Sequence, residues 1–237
     1  MLTNIGAIAA QEKQAAAIAA YYINQGLNVT FTGHSLGGGL AATMAVWFNR
    51  PAIVFDPAPS ESAARSISLV ADVMAVTGGL AAISLGSYQA SISAQFAARE
   101  TNVVSYYAPG SIVYSATNSP ADTISGQTNA LTFGIDNMTS LASQGDMHSQ
   151  ALLTAGVLSS AFKDATVAVQ RALPVMFDKT LYNLDTQLGP RNLFLDLIKS
   201  EQQAPNDSKL DHFAADLSKL GTNIASLNAA AQDALIA

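Results

Sequence analysis

The sequence predicts an α/β fold, a parallel sheet flanked by helices, with a helical C-terminal part. Three observations predict it. The apolar period switches from helical to alternating at residue 27, a glycine-rich turn follows, and a small-residue helix then leads into a second short apolar run. Two strand patterns joined by a helix make a β-α-β unit, here residues 27 to 56, and such a unit implies parallel strands.

The elements follow in order. Ile5, Ile8, Ala15, Ile18, Tyr22 and Ile23 recur at roughly helical spacing, so residues 5 to 25 read as a helix that Gly26 stops. Leu27, Val29 and Phe31 alternate with Asn28, Thr30 and Thr32, a strand pattern. Residues 33 to 39 form the glycine-rich turn. Residues 40 to 48 are apolar and small, as in a helix lying close on a sheet, and Pro51 follows. Residues 52 to 55 are a short buried strand closed by Asp56-Pro57-Ala58-Pro59. Residues 60 to 100 look helical with a break at Gly78-Gly79. Residues 102 to 107 are the next strand, and Ile112 to Tyr114 extend it past Pro109-Gly110. Residues 115 to 147, rich in Ser, Thr, Asn and Gly, read as long loops with little regular structure. From Ala151 onward the pattern is mostly helical, with Leu210, Phe213, Leu217 and Leu220 on one face. There is no internal repeat. A boundary near residue 160 separates a sheet-bearing part, residues 1–160, from a helical part, residues 161–237.

Composition narrows the function classes. With 237 residues, 49% apolar and 12% charged, the chain can build one large core and is not disordered. The net charge of −6 and the absence of a Lys/Arg cluster speak against nucleic acid as a partner. An acidic chain also gains no electrostatic steering toward anionic surfaces. Without cysteine it holds no disulfide, thiol nucleophile or thiolate metal site, and it suits reducing and oxidising compartments alike. No basic stretch followed by an apolar run marks a signal peptide at the N-terminus. The most apolar run, residues 69 to 85, contains Asp72 and Gly78-Gly79 and is too short and broken to span a bilayer.

The chemistry centres on Gly33-His34-Ser35-Leu36-Gly37, a G-x-S-x-G motif between a strand and a helix. In that context the serine sits on a strained turn with its hydroxyl pushed out of the sheet. Glycines two before and two after it remove side chains that would clash. The Leu36 amide, at the positive end of the new helix, points to where an oxyanion forms. The bland alternative is a glycine-rich turn that only packs or binds an anion.

The stretch VTFTGHSLGGGLAA resembles the nucleophile elbow of the class 3, fungal-type lipases and their bacterial relatives. The likeness is specific over residues 27 to 60, weakens after that, and is absent from the last third. It implies a serine esterase or lipase on an α/β-hydrolase-like fold, with Ser35 as nucleophile and no metal or other cofactor. His34 matches the histidine common inside such elbows and reads as structural.

Triad members in this fold run in the order Ser, acid, His. Of three histidines, His34 is in the elbow and His212 lies in a helical pattern. His148 follows a long loop and precedes a helix, where a base can be angled toward a serine, and it resembles the late histidine of the lipase family. The acid departs from the family pattern. The loop after residues 103 to 107 carries Gly110-Ser111 where related sequences tend to carry Gly-Asp or Gly-Glu. Asp56, in a stretch similar to the Asp-Pro-Ala of pancreatic-type lipases, ranks first as its replacement. Its bland reading is a turn aspartate. Asp122 ranks second, ahead of Asp136 and Asp146.

A second departure concerns the second oxyanion donor, which the family supplies from a strand ahead of the first helix. No such strand fits before Ile5. Truncation, membership of a larger protein, and a donor from elsewhere in the chain all stand open. The apolar residues between 66 and 98, including Ile67, Val70, Val73 and Leu85, suit either a lid over a lipid cleft or buried helices packing on the sheet.

The expected function is therefore carboxylic-ester hydrolysis, of lipase or esterase type, with an ester or lipid as substrate and transient contact with a lipid interface. The alternative is a catalytically weakened hydrolase fold used as a binding or assembly module. Nucleotide binding ranks third, because no G-x-x-x-x-G-K-[ST] is present.

Overall fold

The computed structural model describes residues 5–77, 82–111, 113, 123–124, 126–131, 133, 148, 150–169, 193–204 and 207–236. By its contacts the chain divides into two compact units. One comprises Met1–Tyr107 and Thr117–Asn129, the other Ala108–Ala116 and Ala130–Ala237.

The first unit starts with the alanine-rich helix α1 (Ile5–Asn24), which ends where Gly26 takes a φ of 77°. The helix forms as its sequence predicts, but its buried face is not the expected one. Ile18 and Tyr22 are exposed, and the inner stripe is Glu12, Ala16, Ala19 and Ala20. The neighbouring helix causes this. Its small, alanine-rich side chains face the inward stripe, where three of the four residues are alanines.

Strand β1 (Phe31–His34) leads through Ser35 into helix α2 (Leu36–Phe48), and α2 leads into β2 (Ala52–Phe55). The strand begins about four residues later than the alternation suggests, because its ladder can start only where β2 offers partners, at Phe31 opposite Ala52. The helix begins four residues earlier, so Gly37, Gly38 and Gly39 form its first turn and are no loop. From Gly38 to Phe48 all of α2 is buried except Leu40, which is half-buried. The helix ends with Asn49 at a φ of 52°, whose N–H bonds to the Ala45 carbonyl.

Helices α3 (Glu61–Ala64), α4 (Ile67–Val76), α5 (Ala82–Ala90) and α6 (Ile92–Glu100) follow. Val70, Val73, Leu85, Tyr88 and Phe96 are fully buried in one cluster with α2. The apolar segment thus serves mainly as core, with Ile67 and Val76 facing outward. Buried polar groups lock it in place. Trp47 Nε1 and Tyr88 Oη both donate to the Ala64 carbonyl, at 3.1 and 2.9 Å. Arg99 donates to the Val46 and Trp47 carbonyls at the end of α2, and its guanidinium lies near the Tyr88 ring.

Strand β3 (Val103–Tyr107) pairs in parallel with β2, Phe55 opposite Tyr106. The sheet order is β1-β2-β3-β4, with β4 (Gln127–Ala130) outermost. The sequence predicts loops there. Gln-Thr-Asn-Ala shows no alternation because an edge strand buries little: three of its four residues are exposed. Of the expected extension of β3 over Ile112 to Tyr114, Val113 is helical instead, and Ile112 and Tyr114 lie outside the described residues. Helices on a parallel sheet make this an α/β, hydrolase-like fold.

The described part of the second unit is mainly helical: α7 (Gln150–Leu158), α8 (Ser160–Ala168), α9 (Leu193–Gln203), α10 (Lys209–Ala225) and α11 (Ala229–Ile236). Along α10 the buried stripe is Leu210, Ala214, Leu217, Gly221 and Ile224, with Phe213 and Leu220 half-buried at its margin. Ser159 caps α8 at the Phe162 amide and donates to Asp211 of α10. A Cβ on Gly221 would lie 2.7 Å from Ala168, so the two helices require glycine where they cross.

Candidate active site

In the first unit, β1 and β2 end side by side, so Ser35 and Asp56 each occupy the position just past a C-terminal strand end. That is where an open parallel sheet places its functional residues. Both leave the ordinary backbone regions. Ser35 has φ 56° and ψ −125°, and Asp56 has φ 43°. Such conformations cost about 1–3 kcal/mol each and persist only where the surroundings over-determine them.

Here three backbone bonds do so. The Ser35 N–H donates to the Phe55 carbonyl at 3.0 Å, and the Ser35 carbonyl accepts from Gly39 at 3.1 Å and from Ala58 at 2.9 Å. The Asp56 N–H in turn donates to the Tyr106 carbonyl at 2.7 Å. The loop Asp56-Pro57-Ala58 is therefore tied to the elbow on one side and to β3 on the other.

Glycine's role is redistributed relative to the motif. A Cβ on Gly33 would collide with the Gly37 carbonyl, as expected. A Cβ on Gly37 would meet nothing within 4 Å. The steric demand falls instead on Gly38, 3.0 Å from Pro57 Cα, and on Gly39, 2.6 Å from the Ala58 carbonyl oxygen. These two glycines admit the Asp56 loop against the first turn of α2.

Ser35 is half-buried, Leu36 exposed and His34 half-buried. Asp56 is only 2% exposed. His148 is half-buried and belongs to the second unit, as does Ser111, which is wholly buried in a turn closed by its N–H to the Ala108 carbonyl. His212 lies on the solvated face of α10, 2.6 Å from Asp207. Asp122, Asp136 and Asp146 lie outside the described residues.

Sequence reasoning missed one group beside the elbow. Glu12 of α1 is 3% exposed, and its Oε2 has no hydrogen-bond partner. Burial pushes its carboxyl up from 4.5 to about 7. It lines a cavity of about 40 Å³ with Leu36, Gly39, Pro59 and Ser60, and the Ser60 hydroxyl is likewise unpartnered. A signal was present: Glu12 stands four, seven and eight residues before Ala16, Ala19 and Ala20, on the helix face those alanines bury.

Comparison with known proteins gives one match. A phospholipase-like family model, the Tle-like phospholipase domain, covers residues 2–162, a span that includes Ser35, Asp56, Asp122 and His148 but not His212. No curated protein and no solved structure matches the chain. The kinship implied by the elbow thus holds at the level of a lipase- or phospholipase-type family, without singling out the class 3 lipases. The chain belongs to the family defined by the Tle-like phospholipase domain.

Proposed function

We propose that the chain hydrolyses a carboxylic ester of a lipid, with Ser35 as nucleophile, His148 as general base and Asp56 as the acid that orients the histidine. The observation that carries the reading is the backbone of Ser35: a positive φ at a strand–helix turn, held by three backbone bonds, with the residue only half-buried. Ser35 Oγ attacks the ester carbonyl while His148 accepts the hydroxyl proton. The Leu36 amide, in the first turn of α2 where amides lack helical partners, stabilises the oxyanion. His148 returns the proton to the leaving alcohol, and water then releases the acid from Ser35 by the same route. Support for His148 is its place in the Ser, acid, His order and inside the family match. Support for Asp56 is its position at the strand end beside Ser35. The class 3 lipase likeness of the elbow favours an ester bond as the target.

A fluorophosphonate probe tests this, with Ser35→Ala as control. Labelling of the wild type alone is expected. No Ser35-dependent labelling would overturn the hydrolase reading in favour of a binding module. A series of short- and long-chain esters then reports acyl preference.

A further inference from the structure

The cavity beside the elbow contains two unsatisfied polar atoms and, among the described residues that line it, no counter-charge. Glu12 Oε2 and Ser60 Oγ are both buried without a partner and line the same space. Glu12 is the ionisable residue among those lining it. The charged groups on adjoining elements are engaged elsewhere. Glu61 of α3 pairs with Arg65 at 2.6 Å, and Lys13 of α1 pairs with Asp72 of α4 at 2.8 Å. Helix α2 carries no ionisable residue. Orphaned buried polar atoms are rare because each costs the desolvation of an unmade bond. Two such oxygens in one cavity, one of them on a carboxyl, suit a donor-rich, positively charged occupant.

We propose that this cavity binds a small primary ammonium group. An ammonium carries three N–H donors and no acceptor, which suits a carboxylate oxygen and a hydroxyl oxygen together. The volume fits as well. About 40 Å³ is roughly three times the ~10–15 Å³ that admits one water, room for a nitrogen on a two-carbon stem. The cavity borders Leu36, an exposed residue adjacent to Ser35, so a ligand reaching it approaches the elbow. The same chemistry comes from a free amine or from an aminoethyl lipid headgroup. The headgroup source rests on the lipid hydrolysis proposed above, whereas ammonium binding itself does not.

Ethanolamine titration of the full chain tests the site by calorimetry at pH 8, where the carboxyl is ionised and the amine still protonated. Saturable binding is expected, weakened tenfold or more in Glu12→Gln and less in Ser60→Ala, which loses no helix-capping bond. Choline, without N–H donors, is expected to bind at least tenfold more weakly than ethanolamine. No binding by the wild type, equal binding by both variants, or equal binding of choline would overturn the proposal and leave a water-filled cavity. The source is read on Ser35→Ala, which does not turn over. A gain in association with phosphatidylglycerol vesicles on adding phosphatidylethanolamine, lost on adding Glu12→Gln, indicates the headgroup. Ethanolamine binding without that gain indicates a free amine. These readouts need no catalysis, so a failure of Ser35 labelling leaves them intact.

Discussion

Glu12→Gln separates the cost of a buried carboxyl from its use. In the wild type, burial raises the carboxyl from 4.5 to about 7. At roughly 1.4 kcal/mol per tenfold, that displacement is worth about 3 kcal/mol. The native state holds the proton more tightly than the unfolded chain. Stability from this group is therefore fully present below about pH 4.5 and is lost as pH rises through about 7. Glutamine has the same shape and does not titrate. The stability difference, variant minus wild type, should grow by about 3 kcal/mol between pH 4.5 and pH 8, in favour of the variant at the upper end. Urea denaturation followed by Trp47 fluorescence measures it, because Trp47 is the chain's sole tryptophan and is fully buried in the same unit. Other titrating groups, including Glu100, which burial also raises, are shared by both proteins and cancel. A difference that stays flat across this range would refute the reasoning, since it would mean that the carboxyl is solvated in the folded protein.

Gly33→Ala should abolish Ser35 labelling and destabilise the first unit, whereas Gly37→Ala, with open space at its Cβ, should fold normally and gain up to about 1 kcal/mol from helix propensity, both read by urea unfolding. Arg99→Ala should cost about 3 kcal/mol or more in the same assay, because it strands the Val46 and Trp47 carbonyls that the guanidinium satisfies. Asp56→Asn, nearly isosteric and compatible with a positive φ, should lower kcat by about 10⁴ if Asp56 orients the base. An unchanged rate in Asp56→Asn alongside a large loss in Asp122→Asn would transfer that role to Asp122.

The elements legible in the sequence are those whose pattern is set by burial on one side. Residues 52 to 55 and 103 to 107 sit inside the sheet and read as apolar strands. The elbow was legible because the tight turn at Ser35 needs glycine two residues before it. What escaped has a common cause. Strand β4 lies at the edge, where exposure removes the alternation. In α1 the large residues suggested an inner face at Ile18 and Tyr22, but contact with α2 selects small residues and so turns the alanines inward. Glu12 then follows them into the interior, and a charged residue on an alanine stripe gives no hydrophobic signal of its own.

The glycine run after Ser35 shows how the site is assembled from parts that the motif alone does not link. G-x-S-x-G explains Gly33 but not Gly38 or Gly39, and in the structure those two are the positions where a side chain would strike Pro57 and the Ala58 carbonyl. Their smallness lets the Asp56 loop lie against α2, which brings the Ala58 N–H onto the Ser35 carbonyl. The strained serine and the strained aspartate are thus held by one shared set of backbone bonds. The position of Ser35 therefore depends on the loop that carries Asp56. An insertion or a bulky residue anywhere in Pro57-Ala58 would disturb Ser35 as directly as a change in the elbow itself. This coupling ties Asp56 to Ser35 through the backbone, whatever its carboxylate does.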